Sequence, residues 1–128
     1  MKIQALFLLL ILLSGCNFFS SNNKNKEKAI SLFAKISQAQ IDLDSRLKTL
    51  TNHKNINTTS DISENLIAFN SLQNSITDSF EKWQKDFEKF KNQRTYMNYD
   101  LQLINLEKLE EDFEKIQLLV QKAENLQR

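Results

Sequence analysis

"ISENLIAFNSLQNSITDSFEKWQKDFEKF", residues 62–90, carries the clearest pattern in the chain. Ile62, Leu66, Phe69, Gln73, Ile76, Phe80, Trp83, Phe87 and Phe90 follow one another in steps of four and three without a slip, and only Gln73 is polar. That spacing brings each side chain back to the same face of a helix, so the stretch predicts one long amphipathic helix. At 1.5 Å per residue it is on the order of 45 Å long. Its second half, "FEKWQKDFEKF", gathers aromatic rings on one face and Glu and Lys on the other. Glu81 and Lys85 stand at a favourable four-residue spacing, whereas Lys85 and Lys89 repel at the same spacing. A helix with a single apolar stripe is not stable alone in water, so the stripe must meet others.

Two neighbouring segments supply them. Upstream, Lys26 to Leu50 places Ala29, Leu32, Ile36, Ala39, Leu43 and Leu50 at helical spacing, with Arg46 breaking the stripe and Leu47 beside it. Downstream, Leu103, Leu106, Leu109, Phe113, Ile116, Val120 and Ala123 form a third stripe. The Asn/Thr-rich "TNHKNINTTS" at 51–60 reads as a loop, and Ser60 or Asp61 is placed to cap the central helix, Asp61 with Glu64 in capping-box spacing. "KNQRTYMNYD" at 91–100 puts polar residues in apolar slots and offers Asn98 and Asp100 as caps, so a break is expected there, one continuous helix being the alternative. The central segment ends basic, with Lys89, Lys91 and Arg94, while "EKLEEDFEK" makes the third acidic. An antiparallel contact between the two would use that complement, at no more than about 1 kcal/mol per exposed pair.

Composition agrees with this reading. The chain of 128 residues has one glycine and no proline, so it lacks the residues that β-turns use most. It is rich in helix formers and short enough for one domain. The expected fold is all-α, an antiparallel three-helix bundle over residues 27–128. The alternative is an elongated oligomeric coiled coil, although an aromatic-heavy stripe suits a closed bundle better than a narrow two-stranded seam. Basic and acidic residues nearly balance, 17 against 16, which argues against a general nucleic-acid binder.

The single glycine and single cysteine stand together in "LLSGC", behind an apolar run. Lys2 is a positive start, Ile3 to Leu13 is apolar except for Gln4, and Ser14 and Gly15 are small, which is the layout of a secretory signal. The run is shorter than the ~20 residues a membrane span needs. Leu13, Ser14, Gly15 and Cys16 together resemble the lipobox of bacterial lipoproteins. The resemblance covers residues 1–16 only. It implies that residues 1–15 are removed, that the Cys16 thiol carries a diacylglycerol, and that its new amino group is acylated. Two or three acyl chains would anchor the protein firmly, since each buried CH₂ contributes about 0.8 kcal/mol. The mature chain would then have no free thiol and no disulfide. Asn17, where the best-studied Gram-negative sorting rule reads Asp as retention in the inner membrane, points to the outer membrane. In a Gram-positive cell the anchor would lie in the outer face of the cytoplasmic membrane.

Residues 16–26 read as the lipidated end and a flexible tether, from the Asn/Ser/Lys-rich "NFFSSNNKNKEK". Phe18 and Phe19 beside the lipid suit the membrane interface, and Lys24, Lys26 and Lys28 are placed to meet anionic head groups.

No catalytic constellation emerges, and an enzyme is not expected. His53, the only histidine, lies in the Asn/Thr loop without a second ligand. Glu110, Glu111, Asp112 and Glu114 scatter around a helix and read as a solvated face rather than a metal site. A mature chain without glycine offers no phosphate-cradling loop, and no cofactor is implied. Phe80, Trp83, Phe87 and Phe90 read as bundle core, the alternative being a groove that grips a partner helix. Tyr96 and Tyr99, beside the expected break, are candidates for an exposed contact surface. The expected role is a periplasm-facing lipoprotein that binds an envelope protein as adaptor, assembly or stabilising factor. The alternatives are a self-associating spacer between membrane and wall, for which Arg128 departs from the wall-linked lysine of murein lipoprotein, and a surface-displayed adhesin or evasion factor.

Overall fold

In a computed structural model, the chain folds into three helices: α1 (Lys2–Asn52), α2 (Ile62–Gln93) and α3 (Tyr99–Leu126). Backbone is described for residues 2–52 and 62–127, and side chains for 24–50, 64 and 66–127. Among the described residues there is no strand.

The register follows from contacts between helices. Asn25 meets Asp100, Lys35 meets Glu110 and Arg46 meets Glu124, so α1 and α3 run parallel. Phe33 lies against Phe87 and Phe90, and Trp83 against Leu109 and Phe113, so α2 runs antiparallel to both. The fold is the expected all-α, up-down-up three-helix bundle. Its helices are not equivalent, however. The α3 backbone packs closely along both α1 and α2, whereas α1 and α2 meet mainly through long side chains. Phe33 bridges that wider gap, with ring centroids 5.7 Å from Phe87 and 6.3 Å from Phe90.

The core repeats in sevens. Ala29, Ile36, Leu43 and Leu50 are buried on α1; Phe69, Ile76, Trp83 and Phe90 on α2, with Phe80 and Phe87 between them; and Leu106, Leu109, Phe113, Ile116, Val120 and Ala123 on α3. A strict seven-residue repeat keeps each stripe facing its neighbours when helices cross at small angles. Leu66 departs from the expected stripe and is 46% exposed. It lies about one turn beyond Phe69, at the end of the bundle where Leu50 and Ala123 stand.

The break between α2 and α3 falls where the polar run predicted it, so the two are not one continuous helix. A 3₁₀ turn, Arg94–Tyr96, follows α2, and Met97 is extended with φ −103° and ψ 141°. Asn98 then caps α3 by accepting from the Leu101 N–H at 2.8 Å. No glycine closes the end of α2. Instead the Gln102 side-chain amide donates to the Arg94 carbonyl at 2.9 Å and to the Met97 carbonyl at 3.1 Å, satisfying acceptors that a helix end leaves open. Ser60 and Asp61, the caps expected for α2, lie outside the described residues.

Helix α1 continues through residues 16–26, the stretch read from composition as a tether. Its last residues dock on the bundle. The Asn25 side-chain amide donates to Asp100 Oδ1 at 2.6 Å, and Lys26 Nζ lies 5.5 Å from the centre of the Tyr99 ring.

The charge complement expected between α2 and α3 is not used. Lys91 pairs with Glu88 on its own helix, Lys115 pairs with Glu111 and Asp112 on α3, and Arg94 lies 4.1 Å above the Phe33 ring. Among the described residues, the ion pairs between helices join α1 to α3, at Lys35–Glu110 and Arg46–Glu124. Lys35 and Arg46 stand level with Glu110 and Glu124 across the seam between the parallel helices α1 and α3. Arg46, the break in the first stripe, is thereby accounted for as a pairing residue.

Candidate interaction surface

The aromatic stripe of α2 is core. Phe80, Trp83, Phe87 and Phe90 are all buried. Trp83 has ring centroids 6.2 Å from Phe80, 5.0 Å from Phe87 and 4.8 Å from Phe113. Its indole N–H donates to the Leu109 carbonyl at 2.8 Å, so its polar atom is satisfied inside the core. Among the described residues, these four rings face the bundle interior rather than a partner.

The exposed candidates are elsewhere. Tyr96 is 91% exposed and Tyr99 39% exposed, as their place beside the break suggested. Tyr99 lines an open groove of about 800 Å³ between α1 and the α2–α3 turn, together with Ile30, Phe33, Arg94 and Met97. Leu101 and Ile104, also exposed, stand on the first turns of α3. Further along the bundle, Ile41 and Leu118 face outward. The pairings of 35 with 110 and 46 with 124 set these two at the same level.

The acidic cluster divides among different partners. Glu110 accepts from Lys35 at 2.9 Å, while Glu111 and Asp112 flank Lys115. The hydrogen bond from Lys35 to Glu110, reinforced by the charges of Glu110 and Glu114, raises the Lys35 ammonium above its ordinary pKa despite slight opposing desolvation. Among the described residues, no group of three or more His, Cys, Asp or Glu is arranged to hold a metal ion. Among the described residues, too, no helix is long and apolar enough to cross a membrane.

Leu13, Ser14, Gly15 and Cys16 fall in the backbone of α1, with side chains outside the described set, as are those of Phe18 and Phe19; His53 also lies outside the described residues. Sequence reasoning missed two features. Phe33 follows Leu32, which held the stripe position, yet Phe33 carries the contact with α2. Its signal was the four-residue step from Ala29. Leu101, Ile104 and Leu118 alternate with the core stripe on α3, and could have been found as apolar residues off that stripe. Comparisons of the chain with protein-family models, curated proteins and solved structures return no match.

Proposed function

We propose that this chain is a lipid-anchored protein of the bacterial envelope whose helical bundle holds a partner protein, as an adaptor or assembly factor. The observation that carries it is Leu13-Ser14-Gly15-Cys16, set directly behind an apolar run and a positive start. Asn17 supports an outer-membrane anchor with the bundle in the periplasm. The proposed role is non-catalytic: it works by holding surfaces together.

The packing supports a binding role over a self-assembling spacer. Among the described residues, the three heptad stripes apart from Leu66 are buried or partly buried against one another, which leaves them no continuous apolar seam for coiled-coil assembly. What remains exposed is a set of separate large apolar residues, among them Ile41 and Leu118 at one level of the bundle. That level is the proposed partner contact.

Two readouts test the proposal in the source cell. Metabolic labelling with an alkyne fatty acid should tag the wild-type chain and leave Cys16→Ser untagged and released from membranes. Photo-crosslinkers at Ile41 and Leu118 should each yield an adduct of the same discrete mass. An untagged wild-type chain overturns the anchor, and the absence of adducts from both positions overturns the partner contact.

A further inference from the structure

The two ends of the bundle stand at different distances from Cys16. Asn25, which is already docked against Asp100 at the start of α3, lies nine positions after Cys16. Along helix α1 that is about 14 Å, and even a fully extended chain would span no more than about 32 Å. The parallel register of α1 and α3 therefore puts the α2–α3 turn at the end nearest Cys16. The opposite end, where Leu50 meets Gln127, lies about 38 Å further along α1 from Asn25.

The near end has the chemistry of a membrane-interface surface. Tyr96 is 91% exposed there, and Tyr99, Leu101, Ile104 and Ile30 are exposed on the nearby turns of α3 and α1. Tyrosine is favoured at the headgroup level, where its ring is apolar and its hydroxyl is wet. Lys24, Lys26, Lys28, Lys91 and Arg94 gather at the same end, against Glu27, Glu88 and Asp100. Three of these cations already lie over rings, Lys26 on Tyr99, Lys91 on Phe87 and Arg94 on Phe33, and of those rings Tyr99 is exposed beside its cation. The far end also exposes Leu66 and Ile67, but it is out of reach when the bundle stands on its anchor.

We infer that the α2–α3 turn end seats against the anionic headgroups of the membrane holding Cys16, with Tyr96 and Tyr99 at the interface and Lys24, Lys26 and Arg94 toward the phosphates. This orientation rests on the lipid anchor proposed above. It adds a second, weaker membrane contact to the acyl chains and holds the bundle upright, with the Ile41 and Leu118 level facing away from the membrane.

The test uses the full chain, expressed in bacteria, purified from membranes and placed in vesicles of phosphatidylethanolamine and phosphatidylglycerol. Mass spectrometry first reads whether Cys16 is acylated. Once it is, Tyr96→Cys or Leu118→Cys supplies the only free thiol for a spin label, since the chain has one native cysteine. Both native side chains are exposed, so neither change opens the core. The label at 96 should collide several-fold more with oxygen relative to an aqueous nickel chelate than the label at 118. That difference should shrink in phosphatidylcholine vesicles. Equal accessibility at the two positions on an acylated chain overturns the orientation and leaves the anchor standing. Protection at 96 that persists unchanged in phosphatidylcholine overturns the part assigned to the basic side chains. An unacylated Cys16 overturns the anchor and the orientation with it.

Discussion

In the half of the bundle nearer the turn, Trp83 sits among Phe80, Phe87 and Phe113, and its indole is hydrogen-bonded to α3. In the other half, Phe69, Ile76, Leu50 and Ala123 surround a cavity of about 50 Å³ that Gln73 also lines. There too, Asn70 Oδ1 is buried and has no hydrogen-bond partner among the described residues. Both halves use the same seven-residue repeat, yet one fills its interior mainly with large rings and the other mainly with aliphatic side chains around Phe69, with half-buried Gln73 at the edge. Regular spacing thus specifies which residues face inward, but not how well they fill the space. Stability should be concentrated at the aromatic half, because local opening begins where buried contacts are fewest.

The strongest way to break this comparison is truncation in each half. Trp83→Ala should cost about 5 kcal/mol, through lost burial, a large cavity and a broken hydrogen bond to Leu109, while Phe69→Ala should cost about 3 kcal/mol. Chemical denaturation followed by helical circular dichroism reads both. Equal costs, or a larger one for Phe69, would reverse the ranking of the halves. Native-state hydrogen exchange gives the same comparison without mutation: amides around Trp83 should exchange more slowly than those around Phe69.

Smaller changes sharpen it. Asn98→Ala removes the cap of α3 and should cost about 1 kcal/mol, read as a shift in the denaturation midpoint. Gln73→Leu puts an apolar side chain beside the small cavity and should stabilise by about 0.5–1 kcal/mol, read in the same way. A loss instead would mean that the Gln73 amide is satisfied where it stands. The smallest effect belongs to Lys35. Its pKa is raised in the folded state by Glu110, so its contribution is fully present below its unfolded value of 10.5 and is lost as pH rises through the higher folded value. Wild type should therefore lose slightly more thermal stability than Lys35→Met as pH rises through that range. The exposure of the pair keeps the difference small.

Much of the architecture was legible beforehand. The stripes of α1 and α3 and all but the start of the α2 stripe were readable because burial in a helix obeys a period that sequence displays directly. The break at 91–100 was readable because polar residues interrupt that period, and Asn98 because a side-chain acceptor at a helix start has a local role. Leu66 was misread because periodicity says nothing about where neighbouring helices stop. The ion pairs were misread because surface charges reveal their sign but not the helix they face. For the proposed membrane attachment, the sequence motif at Leu13 to Cys16 is the whole of the direct signal.

By itself, then, the sequence determined an all-α bundle, its inward faces, its turn between α2 and α3, and a lipobox-like start. These follow from local rules: helical period, capping chemistry and a short linear motif. Tertiary structure alone decided that α3 packs closely on both partners, that Phe33 spans the gap between α1 and α2, and that Trp83 gives its N–H to Leu109. It also decided that Arg46 belongs to Glu124 and that the tyrosine-bearing turn lies at the end of the bundle nearest Cys16. Each of these depends on register between helices far apart in the chain, which is set by the joint packing of large side chains and not by any one segment.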